Sequence, residues 1–234
     1  MRLWLLCSLI AGLSACSYHL QVDGKLGRVV IDESQNADSS ILTLIQPYKD
    51  SLVSQMSEII GKADTSFELG TPCSNLMNWS ADALFVQETQ NVRLSEPIFC
   101  LLNAGGLRSS LSKGDLTVGD LYKLMPFDNT VTWVRLPLSR IEAIENFMKN
   151  QPKGVPLANA TFNHGKLMIN GLNENHTHFW VITSDYLAQG GDKMTFFLNP
   201  ESLNVKSKTL RDVFIDEVRR QGTLISNLEI RFIP

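Results

Sequence analysis

Asn103-Ala-Gly-Gly-Leu-Arg-Ser-Ser-Leu-Ser-Lys-Gly-Asp-Leu-Thr-Val-Gly-Asp-Leu-Tyr-Lys-Leu-Met-Pro-Phe127 is the stretch around which the chain is organised. It follows an apolar, uncharged run at 97–102, and a short, bounded run of this kind is typical of a buried strand. We therefore expect this strand to bring Asn103, two glycines and Arg108 to its carboxyl end.

The glycines and the arginine of this stretch are suited to ligand binding. Gly105 and Gly106 allow a turn with positive φ and let a ligand approach the main chain, because neither carries a Cβ. Arg108 presents a planar, permanently charged fork that matches a carboxylate or a phosphate. The alternative for Arg108 is a structural ion pair.

A short helix is expected before Phe127. Thr117 and Asp120, three residues apart, form a typical N-terminal capping pair, and Pro126 ends the helix. Because Phe127 follows this breaker, we predict that it lies on a loop.

The remaining elements mix helices and strands along the chain. Hydrophobic periods of three to four and of two residues predict helices at 38–62, 74–88, 139–148 and 209–221 and strands at 29–31, 130–136, 161–162, 167–169, 178–183 and 228–233. Pro47 should kink the first helix or mark its true first turn. Ser74 and Thr209 are the expected caps of the second and last helices, and Ser139 with Glu142 forms an expected capping box. The order lacks strict strand–helix alternation, which favours an α+β fold, a mixed sheet with flanking helices.

Composition limits the classes of function. The net charge of −3 is spread along the chain, so no basic patch for nucleic acid is expected. Among the four histidines the one close pair is His176 and His178, which would share one face of a strand, but only Glu174 lies near it as a further ligand, so no metal ligand is assigned. Cys73 and Cys100 either form a disulfide or remain two separate thiols, and the sequence leaves both open.

The first residues are typical of an export signal. Residues 1–15 carry one arginine, an apolar core too short to span a bilayer, and small residues before Cys16. Leu13-Ser-Ala-Cys16 resembles the bacterial lipobox, which implies lipid attachment at Cys16, a tether over 16–27 and a globular domain over 28–234. Ser17 favours the outer membrane, with the domain facing the periplasm. A buried N-terminal helix is the alternative.

Four motifs carry a resemblance to a known family. They are Asn103–Ser109, Gly114–Leu121, Leu124–Asn129 and Asp185–Asp192, and their order and spacing resemble the C-terminal domain of the 5'-nucleotidase family. That family includes ecto-5'-nucleotidases and bacterial UDP-sugar hydrolases. The resemblance spans roughly 28–234 and implies that family's fold for this domain.

The resemblance also implies a substrate site. Its residues would be Asn103, Gly105, Gly106, Arg108, Phe127, Tyr186, Gly190, Gly191 and Asp192. In the family the two aromatic positions clamp the nucleobase, the aspartate accepts hydrogen bonds from ribose, and the arginine contacts phosphate. The alternatives are that Phe127 and Tyr186 are core aromatics and that Asp192 bonds its own turn. Asn103 would contact the ligand or brace the glycine loop.

The chain departs from the family before the first motif. The family offers a second arginine to the phosphate where this chain has Thr71-Pro-Cys-Ser74, and no Lys or Arg occurs between Lys62 and Arg93. Each hydrogen bond to a charged group contributes about 1.5–3 kcal/mol, so nucleotide affinity should be weaker, or the ligand closer to a nucleoside.

The family's chemistry is a two-metal phosphoester hydrolysis. Its ligands belong to a separate N-terminal domain with Asp-x-His and Gly-Asn-His-Asp/Glu motifs, which these 234 residues do not contain. We therefore assign no catalytic residue and no cofactor to this chain, and expect divalent metals in a partner domain.

Three functional hypotheses follow. The first is the nucleotide-binding module of a 5'-nucleotidase, acting in nucleotide catabolism with a separately encoded metallophosphoesterase. It predicts an apolar patch near Arg108 and Phe127. The second is a non-catalytic nucleoside-binding lipoprotein, and the third is a degenerate domain kept for protein contacts. The first two require a cavity between Phe127 and Tyr186, whereas the third predicts a collapsed cleft.

Overall fold

A computed structural model describes residues 37–93 and 95–234. Of these residues, 46–234 form one compact unit and 37–45 belong to another. The predicted signal, Cys16, the tether and the strand at 29–31 lie outside the described residues. Within the described part, no helix combines the length and the apolar character needed to cross a membrane.

The described elements alternate irregularly between helices and strands. The helices are α1 Ser39–Met56, α2 Asn75–Thr89, α3 Val118–Leu124, α4 Ile141–Lys149, α5 Asp185–Ala188 and α6 Leu210–Gln221. The strands are β1 Ile59–Ala63, β2 Ile98–Leu101, β3 Gly114–Thr117, β4 Thr130–Pro137, β5 Leu157–Ala158, β6 Ala160–Asn163, β7 Lys166–Ile169, β8 His178–Ser184, β9 Ser202–Thr209, β10 Thr223–Leu224 and β11 Phe232–Ile233.

A five-stranded mixed sheet lies at the centre of the unit 46–234. Its order is β5-β2-β8-β4-β9, with β2 and β8 parallel and the other neighbours antiparallel. Two three-stranded sheets accompany it, β10-β1-β3 and β11-β6-β7. Mixed sheets with helices confirm the predicted fold class.

Both faces of the five-stranded sheet are buried along its inner strands β2, β8 and β4. Along β4, Val131 and Trp133 belong to a first core that contains side chains of α2 and α6, while Val134 and Leu136 belong to a second core that contains side chains of α4. Successive side chains of a strand point to opposite faces. The inner strands are therefore mostly apolar, as expected where a sheet is covered on both sides, whereas the edge strand β9 is mostly exposed.

Several local signals in the sequence are confirmed. Ser74 caps α2 by accepting a hydrogen bond from the Met77 amide, 3.2 Å away. Thr117 and Asp120 form the reciprocal capping box of α3, and Thr209 caps α6. These motifs were predictable because each involves residues only three apart.

Other elements differ from the predictions. The first helix ends at Met56 with Pro47 inside it, and the segment predicted as its last turn is strand β1, paired with β3 and β10. Distant partners thus override the local hydrophobic period. α4 follows a 3-10 turn at 138–140 and has no side-chain cap, so the predicted box at Ser139 is wrong. The last strand covers only residues 232–233.

The two described cysteines are free thiols. Cys100 is fully buried in β2, and burial raises the pKa of its thiol well above the usual value. Cys73 lies beside β11, where its sulfur accepts a hydrogen bond from the Phe232 amide at 3.1 Å. Of the two alternatives left open by the sequence, the structure has the separate thiols.

Candidate functional site

The predicted site residues converge on one cleft of about 380 Å³. The side chains and backbone that line it belong to Asn103, Gly105, Gly106, Arg108, Phe127, Asn129, Tyr186 and Asp192. Four segments of the chain therefore meet here, namely the ends of β2 and α3, the start of β4 and the end of β8. Gly190 and Gly191 lie behind the lining rather than in it.

The glycine segment follows β2 as predicted, but the reason for glycine at these positions differs from the predicted one. Residues 104–106 form a 3-10 turn, and neither Gly105 nor Gly106 has positive φ. A Cβ on Gly106 would lie 3.0 Å from the Asn103 side-chain oxygen. Gly106 thus packs tightly against the Asn103 side chain, which a larger residue would have to displace, and the predicted positive-φ turn is wrong.

Arg108 is exposed at the mouth of the cleft. Its guanidinium carbon lies 6.0 Å from the centroid of the Phe127 ring, and its Nη1 donates to the Gly105 carbonyl at 3.2 Å. No carboxylate of the described chain lies within 4.0 Å of it. The structure therefore does not use Arg108 in an ion pair, and its charge faces the cleft.

Phe127 and Tyr186 both face solvent in part, with 45% of each residue exposed. Phe127 lies on the loop after Pro126, as predicted. Tyr186 lies in the first turn of α5, which Ser184 caps through the Leu187 amide, rather than on an open loop. Neither ring belongs to the hydrophobic core, so the core alternative does not apply to them.

Asp192 is the centre of a hydrogen-bond network in the cleft. The Tyr186 hydroxyl donates to one carboxylate oxygen at 2.8 Å, and the Asn103 amide donates to the other at 2.5 Å. A carboxylate offers about four lone-pair sites, so both oxygens can accept further donors. Asp192 is therefore oriented before any ligand arrives, and Asn103 braces it.

The two glycines before Asp192 shape this network. Gly190 has φ +87°, a conformation that favours glycine. At Gly191 a Cβ would lie 2.6 Å from the Tyr186 ring and from the Tyr186 carbonyl oxygen. The Gly-Gly pair thus lets the chain turn back closely against Tyr186.

Sequence reasoning missed Asn129, which also lines the cleft. Its carbonyl accepts from the Leu210 amide at 2.9 Å, which joins the start of β4 to α6. The available signal was its place at the end of the Leu124–Asn129 motif, two residues after Phe127. The Thr71–Ser74 segment, in contrast, does not line this cleft, and Cys73 belongs to a separate cavity near the chain end.

The charge of the lining is balanced. Arg108 is its one cationic side chain, and Asp192 is its one carboxylate. The part of the chain that the structure describes contains no group of three or more histidine, cysteine or acidic side chains able to hold a metal. His176 instead contacts the Ser95 carbonyl at 3.0 Å through its Nε2.

Comparison with known proteins agrees with this geometry. Residues 59–143 match the family model of the 5'-nucleotidase C-terminal domain. The 5'-nucleotidase precursor of Thermus thermophilus superposes with a TM-score of 0.66 at 21% identity, over 82% of this chain and 42% of that one. The chain has the fold of a 5'-nucleotidase C-terminal domain. The predicted resemblance is thereby confirmed at the level of the domain.

Further relatives share the 5'-nucleotidase C-terminal fold or its sequence. The NAD nucleotidase of Haemophilus influenzae has a TM-score of 0.61 at 18% identity, covering 85% of this chain and 42% of that chain. The 5'-nucleotidase of Vibrio parahaemolyticus is 23% identical over 133 residues, covering 57% of this chain and 23% of that protein. The endonuclease YhcR of Bacillus subtilis is 30% identical over 125 residues, 50% of this chain and 9% of the relative. The chain thus spans less than half of these relatives.

Proposed function

We propose that this domain binds a nucleotide or nucleoside in the cleft and contributes the substrate-binding half of a phosphoester hydrolase in nucleotide catabolism. The observation that carries the proposal is the cleft itself, in which two half-exposed aromatic rings lie with Arg108 and an oriented Asp192. A collapsed cleft, as expected for a degenerate domain, does not fit this geometry.

Each side chain has a role that its chemistry supports. The rings of Phe127 and Tyr186 offer stacking surfaces, and stacking on a base contributes roughly 1–3 kcal/mol per contact while tolerating any base. The free lone pairs of Asp192 suit the vicinal hydroxyls of a ribose. Arg108 suits a phosphate at the mouth of the cleft.

We assign hydrolysis to a metallophosphoesterase domain that supplies two divalent metals and the attacking water, as the family resemblance implies. A partner domain needs apolar surface around the cleft. Phe127, Tyr186 and Leu198 are each between 40% and 45% exposed, so this neighbourhood is not uniformly charged. This surface is available to a partner domain that closes over the bound ligand.

A second candidate is nucleoside binding without hydrolysis. It is favoured by the single cation of the lining, because one arginine gives only one charge-assisted contact to a phosphate. In that case adenosine and AMP would bind with similar affinity.

We also propose that the protein is a bacterial lipoprotein attached through Cys16, with the domain facing the periplasm from the outer membrane. The support is the Leu13-Ser-Ala-Cys16 motif and the apolar leader before it. Two or more acyl chains at one cysteine satisfy the need of stable anchoring for more than one lipid.

Calorimetric titration of the full chain in detergent micelles with adenosine and with AMP tests the binding function. We expect Phe127→Ala to weaken both ligands about tenfold or more, through loss of one stacking contact. Arg108→Gln should weaken only AMP. Tyr48→Ala removes an aromatic that is 76% exposed outside the cleft, and serves as the matched control. No heat with either ligand at millimolar concentration would reject nucleotide and nucleoside binding by this chain.

A further inference from the structure

Arg211 holds the backbone that carries Phe127. Its Nη1 donates to the Met125 carbonyl at 3.3 Å and to the Phe127 carbonyl at 3.5 Å, and its Nη2 pairs with Asp128 at 2.5 Å. Three of the four loop residues 125–128 are thus held by one guanidinium from α6. Residue 211 is more than 80 positions away in the sequence.

The surroundings of Arg211 fix its guanidinium plane. Only 9% of its side chain is exposed, and its guanidinium carbon lies 4.1 Å from the centroid of the Tyr122 ring on α3. A guanidinium stacks flat on an aromatic ring while donating in its plane. Tyr122 therefore sets the plane in which Arg211 reaches the loop.

The position of Arg211 argues against a role in helix stability. It is the second residue of α6, and a cation in the first turn of a helix opposes the positive end of the helix dipole. The Nε of the buried side chain also has no hydrogen-bond partner in the described structure. Because this position is unfavourable for a buried cation, we explain Arg211 by its hydrogen bonds to the loop that carries Phe127.

We propose that Arg211 is a positioning residue of the cleft, which fixes the 125–128 backbone and thereby orients the Phe127 ring toward the ligand. The part of this inference that concerns affinity rests on the proposed binding function. Lysine cannot replace it, because one ammonium is a point charge without the planar fork that reaches two carbonyls and a carboxylate. Neither the family match nor the cleft lining includes Arg211.

A ligand-free measurement tests the orientation of the ring. 4-Fluorophenylalanine is placed at position 127 of the full chain, and its fluorine NMR signal is compared between the parent and Arg211→Lys. We expect one narrow resonance in the parent, and a shifted and broadened resonance or a second one in the variant. An unchanged resonance in a folded Arg211→Lys protein would overturn the proposal.

Two further variants serve as controls for this measurement. Asp128 is 82% exposed on its side chain, so Asp128→Ala should fold and still disturb the fluorine signal by removing one acceptor of Arg211. If Arg211→Lys does not fold, the Asp128 variant decides whether Arg211 orients the ring. An unchanged fluorine signal in that variant overturns the proposal. Arg219→Lys, on the same helix but in an exposed pair with Glu58, should leave the signal unchanged.

Adenosine titration then tests whether Arg211 acts through Phe127. Arg211→Lys should weaken adenosine binding about five- to tenfold, because part of the stacking contact with Phe127 is lost. In the Phe127→Ala protein the same substitution should have no further effect on adenosine binding. An equal loss in both backgrounds would mean that Arg211 acts elsewhere, against the proposal. If the parent binds neither adenosine nor AMP, the proposed function fails, while the fluorine spectra still decide the role of Arg211.

Discussion

Gly191 shows how a single residue fixes the geometry of the cleft. Its backbone lies against Tyr186 so closely that even one added methyl group would meet both the ring and the backbone of the tyrosine at 2.6 Å. The backbone angles of Gly191 are not left-handed, so the demand for glycine is one of space. The absence of a side chain at Gly191 therefore leaves room for the Tyr186 ring.

We expect Gly191→Ala to lower the free energy of unfolding by about 1–3 kcal/mol, because a backbone atom cannot give way as a flexible side chain does. Adenosine affinity should fall with it, since Tyr186 must move. Gly105→Ala is the control, because its Cβ would meet no atom closer than 3.6 Å. Urea denaturation of both variants gives the comparison, and equal stability of the two would contradict the steric argument.

For individual residues, the sequence predicted where a side chain lies better than it predicted its hydrogen-bond partners. Phe127 could be placed on a loop because Pro126 precedes it, and both facts are local. The bond from Asn103 to Asp192 joins residues 89 positions apart, and the Tyr186 hydroxyl bond depends on how α5 ends. No spacing in the sequence encodes either contact, so the network could only come from the structure.

Helices α2 and α6 are joined by a buried carboxylate on α6. Burial alone would raise the pKa of Glu217, but hydrogen bonds from Arg220, Gln87 and Gln221 outweigh it and hold that pKa below its usual value. Only 1% of its side chain is exposed. The charged form is thus favoured in the folded protein, and it links the two helices of the first core.

This linkage makes stability depend on pH. A carboxyl whose pKa is lowered by folding stabilises the protein fully above its unfolded pKa, and that contribution disappears as the pH falls through the folded pKa. Glu217→Gln should therefore cost about 2 kcal/mol at pH 7, the size of a hydrogen bond to a charged group. The difference from the parent should shrink below about pH 4.

Urea denaturation of Glu217→Gln at a series of pH values measures this effect. Glu142→Gln, exposed in the first turn of α4, is the matched control and should cost less than about 1 kcal/mol at pH 7. A constant difference between Glu217→Gln and the parent from pH 7 to pH 3 would rule out the ionised Glu217 as its source.

Elements were predictable where their signals are local. The caps at Ser74, Thr117 and Thr209 placed the starts of three helices correctly. Residues 59–63 have a spacing that suits a helix, yet pairing with β3 and β10 makes them a strand. Strand β9 was missed altogether, because a stretch of Ser, Asn, Lys and Thr with two exposed apolar residues carries a weak strand signal.

For the whole molecule, the sequence predicted the class of architecture and the domain family but not the division into three sheets. Sheet membership depends on contacts between distant segments, such as β1 with β10. The resemblance instead came from motifs, and three of the four motifs contribute residues to the cleft. The residues of the cleft were therefore more visible in the sequence than the topology.

The proposed anchor predicts where the molecule resides. The full chain expressed in a bacterium should incorporate labelled palmitate and fractionate with the outer membrane, because Cys16 would carry the lipid. The Cys16→Ser protein should carry no label, and its residues 1–15 should stay uncleaved. Cys73→Ser is the control and should keep the palmitate label. Palmitate on the Cys16→Ser protein would exclude this site of attachment.

Arg231 connects the two cores at one edge of the five-stranded sheet. Its guanidinium pairs with both oxygens of Asp82 on α2, at 2.6 and 2.9 Å, and donates to the Leu157 carbonyl on β5 at 2.9 Å. The next residue, Phe232, is fully buried in the second core, whereas α2 packs in the first. The pair is partly shielded from solvent, since 10% of the arginine side chain and 36% of the aspartate side chain are exposed.

We expect Arg231→Met to lower the free energy of unfolding by about 2–4 kcal/mol. The methionine keeps an apolar stem but leaves Asp82 and the Leu157 carbonyl without their donor, and these partly buried groups lose a bond that water only partly restores. Arg219→Met, which breaks an exposed pair with Glu58, should cost less than about 1 kcal/mol. In the Asp82→Asn background the cost of Arg231→Met should fall, because the unpaired charge is gone. Equal losses for Arg231→Met and Arg219→Met in urea denaturation would show that this link does not hold the two cores together.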